Sequence, residues 1–152
     1  MIQLTNITKC YRTDTVETTA LDRINLEVNK GEFISIMGPS GCGKSTLLNI
    51  IGLIDAPTEG EIKIANETVA NFNDKAMAKF RNATLGFIFQ SFHLIPELSV
   101  LDNVQLPLLY RNMSNAERRE RAKEALTAVG LANRMQHYPN QLSGGQKQRV
   151  AI

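Results

Sequence analysis

Apolar and polar residues alternate at Ile2 and Leu4, and again at Ile24, Leu26 and Val28, the period-2 pattern of half-buried strands. The polar stretch 13–19 between them predicts a loop or hairpin tip, and Lys30-Gly31 predicts a turn. The pattern then changes. Residues 33–37 are almost continuously apolar, which predicts a strand covered on both faces. Residues 44–54 place Leu47, Leu48, Ile50, Ile51 and Ile54 at helical spacing. Residues 55–60 have turn composition, and 61–65 alternate as another strand.

The second half reads mostly as helix. Residues 74–82 put Ala76, Met77 and Phe80 on one side of a helix, and 85–89 form a second buried strand that stops at Gln90. Ser99 with Asp102 resembles a capping box opening a short helix. Ser114 with Glu117 is a better one, and starts a helix reaching about Val129. Ala122, Ala125, Leu126 and Val129 form its apolar stripe, and Gly130 is its stop. The basic residues Arg118, Arg119, Arg121 and Lys123 alternate with Glu117, Glu120 and Glu124, which predicts a solvated face. Strands and helices alternate, so the fold class is α/β with a mainly parallel sheet, and the first strands suggest an added antiparallel β layer.

Composition narrows the function. Lys and Arg total 17 against 15 Asp and Glu, a net charge of +2, too balanced for a nucleic-acid binder driven by phosphate neutralisation. The two cysteines, Cys10 and Cys42, make no disulfide framework and suggest a reducing compartment. The first residues have no apolar signal core, and no apolar run approaches the ~18 residues of a membrane span. The expectation is a cytoplasmic chain.

Residues 38–45, Gly-Pro-Ser-Gly-Cys-Gly-Lys-Ser, fit the phosphate-loop pattern G-x-x-x-x-G-K-[ST]. Gly38, Gly41 and Gly43 let the backbone bend so that successive N–H groups, those of Ser40 and Cys42 included, line an anion nest. The helix starting near Lys44 adds its positive end. Lys44 is placed to reach the β- and γ-phosphates, Ser45 to ligate Mg²⁺, and Thr46 to back the α- and β-phosphates. Strand, glycine loop, helix is the order such a site requires. In the loop, Cys42 serves as a small filler residue.

A second glycine cluster, Leu142-Ser143-Gly144-Gly145-Gln146, precedes another helix start. It offers a hydroxyl and free N–H groups at a helix N-terminus, a second anion site. One nucleotide needs only one phosphate loop. A second site implies a second ligand or a nucleotide shared between two chains.

The LSGGQ run at 142–146 together with GPSGCGKST at 38–46 resembles the ATP-binding subunit of ABC transporters, whose signature motif is LSGGQ. The resemblance implies a P-loop NTPase fold of the ABC ATPase type, with a nucleotide-binding core over 1–90, a helical subdomain over 91–141, and the signature and its helix over 142–152. It implies ATP and Mg²⁺ as ligands, and a head-to-tail homodimer in which Ser143, Gly144, Gly145 and Gln146 of one copy close over the γ-phosphate held by the other. Tyr11 matches the residue that stacks on adenine. Gln90 matches the glutamine that contacts Mg²⁺ and the attacking water, with Lys44 as the other catalytic position. The segment 91–96 would face a membrane permease, His93 and His137 would be structural, and the subunit would sit on the inner face of the cell membrane through that permease. Residues 53–60, 86–90 and 103–110 resemble the lipoprotein-release and macrolide-export type.

The resemblance also calls for a buried strand ending in Asp-Glu about twenty residues past the signature, and then a switch histidine. Neither is among the 152 residues. The expectation is an incomplete chain with no hydrolysis of its own and an exposed apolar sheet edge. Two rival readings follow: a non-hydrolysing nucleotide-binding fragment or regulator, and a soluble ABC ATPase without a permease.

Overall fold

The computed structural model describes residues 1–152, the side chain of Asn71 excepted. The chain forms two compact units, Met1–Leu85 and Gly86–Ile152.

The first unit is built on the alternating segments. Strand β1 (Ile2–Arg12) and strand β2 (Glu17–Val28) pair antiparallel, from Ile2 opposite Val28 to Arg12 opposite Glu17. Strand β3 (Glu59–Ile64) pairs with the other edge of β1, and the short β4 (Glu67–Thr68) closes the order β2-β1-β3-β4. Alternation, reset by an irregularity between Leu4 and Ile7, turns Leu4, Ile7, Leu21, Ile62 and Ile64 to the core. Helix α1 (Lys44–Ile51) packs Leu47 and Ile50 into that core, with Leu53 and Val69 beside them. The five-residue stripe expected for this helix is narrower in fact. The helix ends at Gly52, and Leu48 and Ile54 are exposed.

Helix α2 (Asp74–Thr84) begins where the side chain of Asn73 accepts from the Ala76 N–H at 2.9 Å. Its Met77 and Phe80 pack against the same core, and Phe80 meets Phe72 edge-on at 5.4 Å.

The two runs expected as buried strands are not strands in the structure. Neither 33–37 nor 85–89 is paired as a strand, and the sheet among the described residues is antiparallel throughout. Phe33 is 96% exposed, Met37 86% and Ile88 65%, the reverse of a doubly covered strand. A parallel strand takes its partners from a neighbour a whole crossover away. Apolar composition states that a segment needs cover; it does not supply the cover.

The second unit is helical. Helix α3 (Val100–Gln105), helix α4 (Asn115–Ala128) and helix α5 (Gly144–Ala151) enclose Val100, Leu101, Ala122, Leu126, Leu131, Leu142 and Val150. Ser99 caps α3 by accepting from the Asp102 N–H at 3.1 Å. Ser114 caps α4 in the same way from Glu117. The reciprocal half of the expected box is missing, because the Glu117 carboxylate instead accepts from Arg121 at 3.0 Å. Gly130, at φ +72°, ends α4: its N–H donates to Thr127 O and the Leu131 N–H donates to Leu126 O. Only Ala122 and Leu126 of the predicted stripe are fully buried, and Ala125 faces out.

Candidate functional site

The phosphate loop takes its shape from three glycines. Gly41 and Gly43 lie at φ +83° and +89°, in the left-handed region where a Cβ is strained. At Gly43 there is also no room: a Cβ would sit 2.5 Å from the Ala20 carbonyl oxygen of β2. At Gly38 it would sit 2.7 Å from Cys42 Sγ. The loop is thus pressed onto the sheet at Gly43 and left open at Gly41, where nothing lies within 4 Å of the added Cβ.

Gly43 is also the N-cap of α1, and no side chain accepts from the first N–H groups of the helix. They remain as donors at the positive end of the helix, the arrangement that binds a phosphate. The ammonium of Lys44 folds back over the loop, donating to Gly38 O at 2.8 Å and Pro39 O at 2.6 Å. It thereby holds one positive charge at the mouth of the nest. Ser45 is exposed beside it, and Thr46 is half-buried.

Tyr11, near the end of β1, is 43% exposed. Its hydroxyl donates to Asp55 Oδ2 at 3.0 Å, in the turn after α1. Lys9 Nζ donates to Asp55 Oδ1 at 2.7 Å and lies 5.0 Å from the centre of the Tyr11 ring. The Asp55 carboxyl is held below its ordinary value, chiefly by the Lys9 hydrogen bond and further by Tyr11. Sequence reasoning missed Lys9 and Asp55. Nothing in the local pattern marks a pair 46 positions apart.

The remaining candidates belong to the second unit. Ser143 is the N-cap of α5 and forms a full capping box: Ser143 Oγ accepts from the Gln146 N–H at 3.3 Å, and Gln146 Oε1 accepts from the Ser143 N–H at 2.9 Å. The hydroxyl proton of Ser143 is left to donate outward. Gly144 and Gly145 are exposed, with nothing within 4 Å of an added Cβ. Gln90 is exposed at the turn that follows residues 85–89. The His137 carbonyl accepts from the Val100 N–H at 2.8 Å, at the start of α3, and its ring meets Arg134 at 2.9 Å.

A buried amide also escaped sequence reasoning. Asn103 is 8% exposed and organises the segment before α3. Its Oδ1 accepts from the Ile95 N–H at 2.8 Å, and its Nδ2 lies within hydrogen-bond distance of the carbonyls of Ile95, Leu98 and Ser99.

A loop of this geometry followed by the capped Ser-Gly-Gly-Gln element is a specific pairing, and comparison with known proteins agrees. The family described as ABC transporter matches residues 21–152. The chain belongs to the ABC transporter family. It is similar to an uncharacterized ABC transporter ATP-binding protein of Bacillus subtilis, YknY, with 51% identity over all of this chain and 66% of that protein. It is 45% identical to the macrolide export ATP-binding/permease protein MacB of Chlorobaculum tepidum, over all of this chain and 23% of that protein. Among solved structures, the dimeric post-hydrolysis state of the ATP-binding cassette MJ0796 bound to ADP and Pi superposes with a TM-score of 0.88 at 50% identity, covering 99% of this chain and 67% of that one. The chain therefore spans about two thirds of the length of the stand-alone relatives. Its fold is that of the ABC ATPase cassettes, a P-loop NTPase fold, to which these residues contribute the antiparallel layer, the phosphate-loop helix and the helical unit.

Among the described residues no three His, Cys, Asp or Glu side chains gather to hold a metal. Mg²⁺ bound with a nucleotide takes few protein ligands and completes its shell from phosphates and water. The exposed hydroxyl of Ser45 at the head of α1 is a donor of that kind. No helix among the described residues is long and apolar enough to cross a membrane.

Proposed function

We propose that this chain is the ATP-binding part of an ABC transporter subunit that couples ATP binding and hydrolysis to substrate export or release through a membrane permease. The observation that carries this reading is the phosphate loop itself: left-handed glycines at 41 and 43, uncapped N–H groups at the head of α1, and the Lys44 ammonium folded over them.

In this reading Gly38, Ser40, Gly41, Cys42 and Gly43 wrap the phosphates with backbone N–H groups, and Lys44 bonds the β- and γ-phosphates in exchange for the carbonyls of Gly38 and Pro39. Thr46 backs the α- and β-phosphates. Ser45 would hold Mg²⁺, which supplies charge neutralisation of the phosphates when bound, and Gln90 is the second ligand that the family resemblance implies. Tyr11 stacks on adenine. Gln90 senses the γ-phosphate. Catalysis is positioning and charge stabilisation, and the chain's own part is to fix the triphosphate in place. Hydrolysis further needs the Asp-Glu strand that the resemblance places beyond the signature, so residues 1–152 alone are expected to bind ATP without turning it over.

Ser143, Gly144, Gly145 and Gln146 are proposed to act on the nucleotide of a second copy. Their support is the outward hydroxyl, the two open glycines and the dimeric state of the similar cassette. A permease partner is supported by the ATP-binding/permease fusion of the Chlorobaculum relative. A cavity of about 580 Å³ in the second unit, walled by Phe89, Phe92, His93, Val104 and Val150, supports a docking site for it near segment 91–96. The subunit would then lie on the inner face of the membrane.

The test compares two variants. Lys44→Ala should remove ATP binding by the monomer. Ser143→Arg should preserve monomer binding and abolish ATP-induced dimers in size-exclusion chromatography of the full-length protein. Loss of monomer binding in Ser143→Arg would overturn the assignment in trans.

A further inference from the structure

The reading of Tyr11 as an adenine platform leaves a physical problem. Tyr11 lies two residues from the hairpin turn, on a strand end whose neighbour Arg12 is largely exposed. An exposed aromatic side chain in such a place samples several χ1 rotamers unless its far end is held. The structure holds it at Asp55.

Asp55 uses both carboxylate oxygens. Oδ2 accepts from the Tyr11 hydroxyl at 3.0 Å, while Oδ1 accepts from Lys9 Nζ at 2.7 Å and from the Ala56 N–H at 2.8 Å. Lys9 is itself fixed by a second bond to Ala56 O at 2.7 Å and keeps only 13% of its side chain exposed. With its ammonium 5.0 Å from the ring centre, Lys9 lies over one face of Tyr11, whose side chain remains partly exposed.

Asp55 is equally tied to the phosphate helix. The Ile54 and Asp55 N–H groups both donate to Asn49 O, at 2.9 and 3.3 Å, on the last turn of α1. The turn is then stitched back to β1, where the Thr58 N–H donates to Thr8 O at 2.8 Å and Thr58 Oγ1 accepts from the Cys10 N–H at 3.0 Å. The helix that carries the phosphate loop at its head therefore carries, at its tail, the carboxylate that orients Tyr11.

We propose that Asp55 is a positioning residue for nucleotide binding: it fixes the Tyr11 ring against Lys9 and locks that platform to α1, so that base and triphosphate meet one rigid frame. This rests on the reading of Tyr11 as the adenine-stacking residue. An Asp serves all three donors at once and matches the charge of Lys9. An Asn has one acceptor oxygen and no charge: turned to Tyr11 it would set its NH₂ against the Lys9 ammonium, and turned to Lys9 it would lose the ion pair and could meet the Tyr11 hydroxyl only as a donor.

The experiment measures ATP and inorganic tripolyphosphate affinities of the full chain by calorimetry. The variants are Asp55→Asn, Tyr11→Phe, their double mutant, and Tyr11→Ala. Asp55→Asn and Tyr11→Phe should each weaken ATP about three- to tenfold, the double mutant no more than the worse single one, and tripolyphosphate should bind all four within about twofold of the parent. An ATP affinity unchanged in Asp55→Asn, while Tyr11→Ala is weakened, overturns the positioning role and spares the platform. An equal loss for tripolyphosphate overturns it too, because Asp55 would then act on the phosphate loop. No effect in Tyr11→Ala overturns the platform reading and this inference with it.

Discussion

The Lys44 ammonium lies 2.6 Å from the carbonyl oxygen of Pro39, across the loop that its own helix begins. Together with the bond to Gly38 O at 2.8 Å and a longer contact to Cys42 Sγ at 3.5 Å, this engages all three of its donors within the loop and sets the charge over the nest. A phosphate oxygen is a stronger acceptor than either carbonyl, so the exchange on binding is favourable. Replacing Lys44 by Ala should weaken ATP by about a hundredfold or more, since charge-assisted bonds are worth roughly 1.5–3 kcal/mol each. Calorimetric titration checks this, with an unchanged far-ultraviolet circular dichroism spectrum as the control for folding.

Gly43 and Gly41 separate conformational strain from steric exclusion. Both have positive φ, but only Gly43 faces backbone, with Ala20 O 2.5 Å from an added Cβ. Gly41→Ala should cost about 1 kcal/mol, the strain alone. Gly43→Ala should cost about 2–4 kcal/mol and pull α1 from β2. Thermal unfolding of the two variants should rank them in that order.

Asn103 sets the third expectation. Its buried amide satisfies the Ile95 N–H and is within bonding distance of three carbonyls. Asn103→Ala should destabilise the second unit by about 2–4 kcal/mol, through the buried backbone groups it leaves unsatisfied. Hydrogen exchange should show the loss at the 95–99 amides, while ATP affinity of the phosphate loop in the first unit stays at its parent value.

Asp55 gives a pH dependence of definite sign. Its folded value is lowered from 3.8, first by Lys9 and then by Tyr11 against an opposing effect of burial. A lowered carboxyl contributes stability that is present above the unfolded value and fades as pH falls through the folded one. The parent should therefore lose stability relative to Asp55→Asn below about pH 4, and the difference should be constant from pH 5 to 8. Urea unfolding across that range tests it. A difference that instead grew above pH 7 would assign the effect to another group.

The sequence by itself determined most of the local elements and the phosphate-loop motif. Period-2 alternation located β1, β3 and the second half of β2, whose polar first residues 17–19 read as loop; helical spacing located α1 and α2, and Ser99, Ser114 and Gly130 marked helix ends, because each of these signals acts within a few residues of itself. Glycines 38, 41 and 43 with Lys44 disclosed a phosphate nest for the same reason: the bend, the donors and the charge all lie within one loop.

The tertiary structure decided what depends on distant partners. Residues 33–37 and 85–89 had the composition of covered strands, yet Phe33, Met37 and Ile88 stand exposed, since a strand's cover and its ladder come from elsewhere in the fold. Asp55 looked like turn chemistry and proved to be the meeting point of Lys9, Tyr11 and the tail of α1. Asn103 looked like one polar residue in an apolar stretch and proved to be the buried clamp of segment 95–99. Hydrophobic periodicity records which side of an element is buried. It carries no information about which polar side chains, tens of residues apart, the closed chain brings within 3 Å of one another.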